Sequence, residues 1–547
     1  MNPRLSEADI AALGQHATHR LLHDGEPLFQ AGDGRGGFFF VVLKGAIEII
    51  DASGSEPRTV VIHGPGQFTG DIDILTRRRP VVSAVARGET DVLGVSSSDV
   101  RRVIGERPRL GEIILGAFIA RRQELLESGF EGIRVIGSGG SREALGIREF
   151  LFRNQVPLTW IDVDERAGTA ELLRDFGVRE QDLPVVACPG GPLLRNPSIR
   201  EVSEVLGLRR PLRAGIYDLV IVGAGPAGLA AAVYGASEGL STVALEAEAP
   251  GGQAGASTKI ENYLGFPTGI TGAELTGRAT LQAQKFGAEL FSPARVVGLA
   301  LDGDYPVVCL DSGECAAARC ILIATGADYR KLDVPGRERF DGMGIYYAAT
   351  PMELTACGGS EVVVVGGGNS AGQAIMFLSE HTRRVWVILR GNSLRKSMSS
   401  YLADRLEAAE NVQVLYDSEV RQVLGTSRLE KVVVENTSTG ELRTIATPAL
   451  FTFIGAVPRT SWLPPQIEVN GKGFVLTGRG RAASPNWRLQ REPYLLETSR
   501  PGIFAAGDVR FGSTPRVSSA VGEGAMAVRF VHAYLAEPAA KADTAGG

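Results

Sequence analysis

Two glycine-rich segments of the chain have the residue types and spacing that bind the pyrophosphate of a dinucleotide. Gly223–Gly228 reads GAGPAG and follows the run DLVIV of residues 218–222; Gly366–Ala371 reads GGGNSA and follows the run EVVVV of residues 361–365. Glycines at a strand-to-helix turn let the backbone approach the phosphates, and the start of the helix supplies N–H groups and a positive dipole. Two such turns are typical of a chain that binds one flavin and one nicotinamide.

The residues beyond each turn indicate which dinucleotide binds there. The strand of residues 241–245 ends at Glu246, about twenty residues after the first glycines, where a carboxylate accepts hydrogen bonds from a ribose diol. The strand of residues 385–389 ends at Arg390, with Arg395 nearby. An arginine at that point favours the 2′-phosphate of NADP over NAD. The sequence therefore predicts FAD at the first turn and NADPH at the second, with NADH less favoured; the alternative for Arg390 is a solvated surface arginine.

Further motifs extend this pattern over residues 215–535, which resemble the low-molecular-weight thioredoxin reductase family. The resemblance rests on Gly223–Gly228, Gly251-Gly252-Gln253, ENYLGFP at residues 261–267, Ala324-Thr325-Gly326, Gly366–Ala371, Phe453-Ile454-Gly455 and Gly507-Asp508. It implies an FAD-dependent NAD(P)H oxidoreductase, a homodimer, and two Rossmann-type domains. The FAD domain comprises residues 211–335 and 455–535, and the NADPH domain, residues 336–454, is inserted into it.

The same resemblance implies a role for each matching residue. Gly223, Gly225 and Gly228 hold the FAD pyrophosphate, Glu246 the adenosine ribose and Asp508 the ribityl chain, while Gln253, Thr258 and Asn262 lie along the flavin. Gly366, Gly368, Asn369, Ser370, Ala371, Arg390 and Arg395 serve NADPH. Pro226, Ala227, Gly252, Ala324, Thr325, Gly326, Ile454, Gly455, Gly507, Arg516 and Val517 complete the expected cofactor-binding set. A helix that begins near Ser518 directs its positive end at the flavin.

The chain departs from this family where the family carries the redox-active sequence Cys-Ala-Thr-Cys. Ala348 and Pro351 stand in place of the two thiols. Disulfide exchange needs one thiolate to attack and a second thiol to resolve the mixed disulfide, so this segment cannot perform it. No catalytic side chain is predicted. Tyr346 and Tyr347 precede the altered segment and either shield the flavin or pack in the core.

The remaining thiols do not replace that pair. The five cysteines are Cys188, Cys309, Cys315, Cys320 and Cys357, and none forms a C-x-x-C. Cys357 is either a lone reactive thiol or a small apolar residue in a turn. Cysteines without framework spacing indicate a reducing compartment, which predicts a cytoplasmic protein.

Residues 1–128 alternate short apolar strands with glycine turns and end in a helical pattern over residues 109–127. This order is typical of a small β jelly roll with a C-terminal helix, and it resembles the cyclic nucleotide-binding domain, with a hairpin at Lys44-Gly45. Residues 64–83 would form the phosphate cassette and hold a regulatory ligand. In that family an arginine follows the cassette proline, but here Val81 follows Pro80, with Arg77–Arg79 nearby as substitutes. The alternative is a docking domain that has kept only the fold.

Residues 129–210 resemble a glutaredoxin or thioredoxin fold. Strands are predicted at 133–136, 158–162 and 183–187, and helices at 142–154, 168–176 and 199–206. Leu183-Pro184 stands at that family's cis-proline turn. The turn at residues 137–141 reads GSGGS, and Cys188 is alone downstream, so the thiol site is missing here as well.

Composition bounds the function of the whole chain. The 547 residues have room for three or four domains and carry a net charge of −5, which argues against nucleic acid as a partner. The N-terminus has no signal-peptide pattern, no segment is typical of a membrane span, and the Ala/Gly-rich tail of residues 536–547 predicts disorder. No metal site is predicted.

The sequence thus predicts an α/β protein with two Rossmann-type domains, a β jelly roll and a thioredoxin-like domain. Its predicted activity is electron transfer from NADPH through FAD to an unidentified acceptor, a small protein or a small molecule. Two alternatives stay open: reduction of thioredoxin disulfides through a partner or lone thiol, and a sensor that responds to its flavin or nucleotide with little turnover.

Overall fold

The computed structural model describes residues 2–537 apart from 16, 34–37, 53–56, 71, 77, 128–131, 155, 165–176, 210, 258–259, 261, 342, 348, 350–352, 355–356, 358, 427, 481–482 and 488. Thr258, Ala348, Pro351, the predicted helix at 168–176 and the tail of residues 538–547 therefore lie outside the described residues. Within the described part, no helix has both the length and the apolarity needed to cross a membrane. The same residues contain no group of three or more His, Cys, Asp or Glu placed to hold a metal ion.

The N-terminal part of the chain is an antiparallel β structure flanked by helices. Its strands are β1 (Thr18–Leu22), β2 (Pro27–Phe29), β3 (Phe38–Asp51), β4 (Arg58–His63) and β5 (Ser83–Ser96), and its helices are α1 (Glu7–Gly14), α2 (Ile72–Thr76), α3 (Ser97–Glu106) and α4 (Pro108–Glu127). The strand order is β1-β5-β3-β4, and β2 pairs with β5. The rings of Phe39, Phe68 and Phe118 pack together where α4 meets the sheet.

The hairpin predicted at Lys44-Gly45 is wrong. Strand β3 continues through both residues and pairs with β5 from Phe38 to Ile50, with register shifts on either side of Lys44. Gly45 has a φ of +79°, and a Cβ there would lie 2.5 Å from Oγ1 of Thr90. The glycine therefore forms a bulge that bends one long strand, and the sequence alone does not distinguish a bulge from a turn.

Residues 133–208 form a small mixed sheet with helices. The elements are β6 (Ile133–Gly137), α5 (Arg142–Arg153), β7 (Leu158–Asp162), β8 (Val185–Ala187), β9 (Leu193–Arg195) and α6 (Ile199–Val205), with a 3₁₀ turn at Glu180–Asp182. The order is β7-β6-β8-β9; β6 and β7 are parallel, and β8 and β9 are antiparallel to their neighbours. The Leu183–Pro184 peptide bond is cis.

The next part of the chain contains the first glycine-rich turn. Its elements are β10 (Ile216–Val222), α7 (Pro226–Ser237), β11 (Thr242–Leu245), α8 (Gly252–Gly255), α9 (Gly272–Lys285), β12 (Glu289–Phe291), β13 (Val296–Ala300), β14 (Val307–Leu310), β15 (Cys315–Ile323) and β16 (Ala327–Tyr329). The sheet order is β12-β11-β10-β15-β14-β13. The first four strands of that order are parallel, and most of their residues are buried, as expected where both faces of a sheet are covered.

The second glycine-rich turn lies in another parallel sheet. The elements are α10 (Arg337–Phe340), β17 (Ile345–Tyr346), β18 (Glu361–Val365), α11 (Asn369–Ser379), β19 (Arg384–Ile388), a 3₁₀ turn (Leu394–Lys396), α12 (Ser400–Ala408), β20 (Val412–Leu415), β21 (Ser418–Gly425), β22 (Leu429–Asn436), β23 (Leu442–Ala446) and β24 (Leu450–Thr452). The parallel order is β17-β24-β18-β19-β20, and β21-β22-β23 form a separate antiparallel sheet.

The chain then returns to the first parallel sheet. Strand β25 (Ala456–Pro458) pairs with β16, β26 (Ile503–Ala505) pairs with β15, and α13 (Val517–Ala536) packs on α7. At the helix contact a Cβ on Gly524 would lie 2.1 Å from the Ala227 carbonyl oxygen, so only glycine allows this approach. The molecule is thus an α/β protein with two dinucleotide-type sheets, preceded by an antiparallel β domain.

Candidate functional site

A cavity of about 2280 Å³ extends along both glycine-rich turns. Most of the predicted cofactor-binding residues line it: Gly223, Gly225, Pro226, Ala227, Glu246, Gly252, Gln253, Ala324, Thr325, Gly326, Gly368, Asn369, Ser370, Ala371, Gly455, Gly507, Asp508, Arg516 and Val517. Gly228, Gly366 and Ile454 do not line it, and neither do Asn262, Arg390 and Arg395, which are exposed.

Steric contacts explain why the first turn needs its glycines. A Cβ on Gly223, whose φ is +102°, would lie 2.4 Å from the Ala324 carbonyl oxygen, and a Cβ on Gly228 would lie 1.9 Å from the Gly223 carbonyl oxygen. Helix α7 can therefore begin close against β10. Its N-cap is Gly225, and no side chain caps it, so its first N–H groups are open to an anion in the cavity.

Glu246 holds the turn from the end of β11. Its two carboxylate oxygens accept hydrogen bonds from the backbone N–H of Ala224 at 2.8 Å and of Glu248 at 3.0 Å. The side chain is buried, and this burial raises the pKa of Glu246 although both hydrogen bonds oppose the rise. Each oxygen keeps a second lone pair, so the carboxylate can still accept from a ribose hydroxyl.

Asp508 lines the same cavity after β26. Burial, together with the nearby carboxylate of Glu523, raises the pKa of Asp508 to about 6. Glu523 itself accepts from the backbone N–H of Gly507 at 2.8 Å and forms an ion pair with Arg510. This network fixes the turn that carries Asp508, and α13 starts nearby at Val517.

Two residues expected along the flavin differ in position. Gln253 lines the cavity, and its amide nitrogen donates to the Ala327 carbonyl. Asn262 has an exposed side chain and does not reach the cavity wall. The third expected residue, Thr258, is outside the described part of the chain.

The second turn also needs a glycine for steric reasons. Gly366 has a φ of +138°, and a Cβ there would lie 2.4 Å from the Phe453 carbonyl oxygen. Side chains fix the turn from outside: the hydroxyl of Ser397 donates to the Gly367 carbonyl at 2.8 Å, and the Asn369 side-chain oxygen accepts from the Ser399 N–H at 2.7 Å. The start of α11 therefore faces the cavity in a fixed position.

The two arginines expected at the NADPH phosphate have different surroundings. Arg395 forms ion pairs with Asp404 and Glu407, both at 2.7 Å. Arg390 lies at the end of β19 and is exposed, and no ion pair of this residue occurs among the described side chains. Of these two residues, Arg395 already has carboxylate partners and Arg390 has none among the described side chains.

The aromatic residues before the altered dithiol segment lie on the cavity. Tyr346 and Tyr347 both line it, and burial raises the pKa of each phenol to about 12. The ring of Tyr346 also packs against Phe451, with centroids 5.4 Å apart. Tyr346 thus packs against the core and also borders the cavity, and its expected shielding of the flavin stays a prediction.

One wall of the cavity comes from the 133–208 unit, which the sequence did not indicate. Ser138, Gly139, Gly140 and residues of α5 line the cavity. Arg153 at the end of α5 donates to the carbonyls of Gly252 at 2.9 Å and Ala249 at 3.3 Å. The sequence motifs do not predict this contact, because it depends on how two separately folded units pack against each other.

A disulfide was also missed. Cys309 and Cys315 face each other across the β14–β15 hairpin and are bonded, with their Cα atoms 4.1 Å apart. Neither residue lines the cofactor cavity. The signal that could have found it is the turn sequence DSGE between the two cysteines, which is typical of a tight hairpin.

Comparisons with known proteins agree with this geometry. The family described as pyridine nucleotide-disulphide oxidoreductase matches residues 217–524, and the cyclic nucleotide-binding domain matches residues 19–107. A thioredoxin reductase of Bacillus subtilis is 35% identical over 325 residues, which are 59% of this chain and 96% of that protein. A 34.2 kDa protein in the rubredoxin operon of Clostridium pasteurianum is 32% identical over 318 residues, 58% of this chain and 97% of that protein.

Solved structures give the same result. The crystal structure of Lactococcus lactis thioredoxin reductase matches with a TM-score of 0.52 at 30% identity, covering 58% of this chain and 99% of that one. The glycine cradles, the buried acid and the size of the cavity fit FAD and NADPH. The chain belongs to the pyridine nucleotide-disulphide oxidoreductase family and is a thioredoxin reductase-like, FAD-dependent NAD(P)H oxidoreductase with an N-terminal domain of the cyclic nucleotide-binding type.

Proposed function

We propose that this oxidoreductase passes electrons from NADPH through FAD to an acceptor without using a dithiol of its own. The observation that carries the proposal is the sequence of residues 344–351, GIYYAATP, in which alanine and proline replace both thiols of the family motif. When bound, FAD accepts a hydride from NADPH and passes on the two electrons. The chain contributes alignment through the two glycine turns, Glu246, Asp508 and the tyrosines on the cavity wall.

The described thiols support this proposal because none has the properties of an attacking thiolate. Burial raises the pKa of Cys188 and of Cys357 to about 11, and that of Cys320 well above its ordinary value. Cys357 also donates its S–H to the Glu353 carbonyl at 3.1 Å. A thiol in this state is protonated at neutral pH and attacks disulfides slowly.

The 133–208 unit fits a thioredoxin-like domain that has lost its own exchange site. The parallel β6–β7 pair, the helix α5 between them and the antiparallel β8 and β9 support this assignment. The turn at the start of α5 carries Ser138 and Ser141 in place of cysteines, and it faces the cofactor cavity. We propose that this domain is a fixed wall of the site and not a carrier of thiols.

The N-terminal domain is proposed to regulate the site, and a continuous set of contacts supports this role. Arg78, in the cassette, donates to the Asn154 carbonyl at 2.8 Å, directly beyond α5. The adjacent Arg153 donates to Gly252, which lines the cofactor cavity. A shift of the cassette would therefore move the end of α5 and the loop at the FAD site together.

The test compares acceptors with NADPH as donor. Stopped-flow absorbance should show reduction of the flavin by NADPH, and steady-state turnover should occur with one or more of ferricyanide, benzoquinone, flavodoxin and oxygen. Turnover with a standard thioredoxin should stay at background. The double variant Ala348→Cys/Pro351→Cys should gain thioredoxin reduction, whereas either single variant, as the matched control, should not.

Two results would decide against the proposal. Efficient thioredoxin reduction by the unaltered protein, lost in Cys357→Ser or in Cys309→Ser, would establish disulfide reduction through another thiol. Flavin reduction without turnover on any acceptor would favour the sensor alternative.

A further inference from the structure

The N-terminal domain encloses a second cavity of about 880 Å³. Its described lining shares no residue with the cofactor cavity. This volume is in the range of sites that enclose a small organic molecule. Strands β1 to β4, helix α2, the segment after it and the last turns of α4 form its walls.

Apolar side chains converge on this cavity. Phe29, Val60, Val61 and Val82 pack against the buried core but remain only partly buried themselves, and all four line the cavity. The ring of Phe29 lies stacked on that of Phe40, with centroids 6.4 Å apart. An apolar molecule in the cavity would cover this surface, at roughly 25 cal/mol for each Å² removed from water.

The cations on the wall already have partners within the protein. Arg20 donates to the Leu28 carbonyl, Arg58 pairs with Asp51, Arg78 donates to the Asn154 carbonyl, and Arg121 donates to the Gly70 carbonyl. Three carboxylates also line the cavity, Asp33, Asp73 and Glu124, and Asp73 is paired with Arg122. Val81 follows the cassette proline, at the position where a cyclic phosphate would meet an arginine. Among the described residues, the wall therefore lacks an arginine at the usual position for a cyclic phosphate.

One buried polar group on the wall has an unused hydrogen-bonding atom. His63, at the end of β4, is 1% exposed, and its Nδ1 has no hydrogen-bond partner among the described residues. Burial and the nearby charge of Arg121 lower the pKa of His63 to about 3, so the ring is neutral. This nitrogen is closed off from the cavity as well as from bulk solvent, so the neutral ring adds neither a charge nor a hydrogen-bonding atom to the wall.

We propose that the cavity of the N-terminal domain binds an uncharged, largely apolar small molecule, held by its contacts with the apolar side chains of the wall. A cyclic nucleotide is not its ligand. The binding goes beyond the electron-transfer function and does not depend on it.

The test uses N-phenyl-1-naphthylamine, an uncharged aromatic probe with one N–H group, and the full-length FAD-loaded protein. Its fluorescence should rise on binding and saturate at one probe per chain. Val61→Trp, which fills the cavity, should weaken binding at least tenfold. The matched control is Ile62→Trp on the same strand, because Ile62 is 41% exposed and lies outside the lining, and it should change binding less than twofold. Calorimetry with 3′,5′-cyclic AMP and GMP should show no binding.

A second variant keeps the test decisive if Val61→Trp does not fold, as judged by circular dichroism and FAD content. Phe29→Ala should weaken probe binding about fivefold, because it removes an aromatic ring that lines the cavity. The proposal is overturned if the probe does not bind, or if its binding is the same in both cavity variants, which would place it elsewhere. It is also overturned if either cyclic nucleotide binds and competes with the probe.

Discussion

Individual side chains set the chemistry of the cofactor cavity, and Asp508 is a half-buried carboxyl group on its wall. Burial raises its pKa to about 6, so in the folded chain the carboxyl resists ionisation. The predicted ribityl hydroxyls would supply the hydrogen bonds that the buried carboxylate lacks without FAD. At neutral pH the ionised carboxylate of Asp508 should therefore lower the stability of the folded, FAD-free protein.

This destabilisation predicts a pH-dependent effect of Asp508→Asn on the FAD-free protein. Between the unfolded pKa near 4 and the folded pKa of about 6, the folded state binds more protons, so stability falls as pH rises. Asparagine does not ionise and avoids this loss. The variant should raise the unfolding temperature roughly 5 °C more at pH 7.5 than at pH 4.5, measured by calorimetry. An equal shift at both pH values would contradict the raised pKa.

The contrast between Arg390 and Arg395 predicts which residue selects the coenzyme. Arg390→Ala should lower the preference for NADPH over NADH about ten- to a hundredfold, since a charge-assisted phosphate contact is lost. Arg395→Ala should change it less than threefold, because Asp404 and Glu407 already neutralise this guanidinium. Flavin reduction by each coenzyme, followed by stopped-flow absorbance, gives both ratios. Equal effects of the two variants would remove Arg390 from the phosphate site.

At the scale of elements, the sequence best predicts those helices and strands whose bounds depend on the local pattern of apolar and polar residues. Strand β7 has the predicted bounds, and α4 and α5 differ from theirs by one residue at an end. Both parallel sheets follow from buried β-branched runs joined to glycine turns. The bulge at Gly45 and the position of Asn262 depend on contacts with distant segments, which residue pattern does not contain.

The Cys309–Cys315 disulfide is a further case, since cross-strand pairing depends on the register of β14 and β15. A disulfide is able to accept electrons from a reduced flavin. Because this one lies outside the cofactor cavity, we predict that it accepts none during turnover. Replacing both cysteines by serine should leave NADPH-driven ferricyanide reduction within twofold of the unaltered protein. The bond closes a loop with a sequence separation of 6, so its loss should lower stability by about 2 kcal/mol. Loss of acceptor reduction with stability retained would show that the hairpin is a redox centre.

At the scale of the whole molecule, the contact between the cassette and the end of α5 joins two cavities that lie in different domains. Arg78 lines the N-terminal cavity, and Arg153 lines the cofactor cavity. Arg78 contacts Asn154, which follows Arg153 in the sequence, so this route is short. The sequence does not predict this route, because the residues around each arginine form no motif that indicates a contact with another domain.

The route predicts a measurable coupling between ligands in the two cavities. Saturation with N-phenyl-1-naphthylamine should change the affinity for FAD at least twofold, and FAD should change the affinity for the probe by the same factor, because coupling free energy is reciprocal. Arg78→Ala and Arg153→Ala should each bring that factor close to one. The coupling factor is the ratio of the probe's affinities with and without FAD. A variant that changes probe binding equally in both states therefore leaves the factor unchanged. Arg79→Ala is the matched control, since Arg79 lies beside Gly207 instead of Asn154, and it should preserve the coupling. Coupling that survives in Arg78→Ala would show that the domains communicate through another contact, such as the packing of Leu281 from α9 on the N-terminal core.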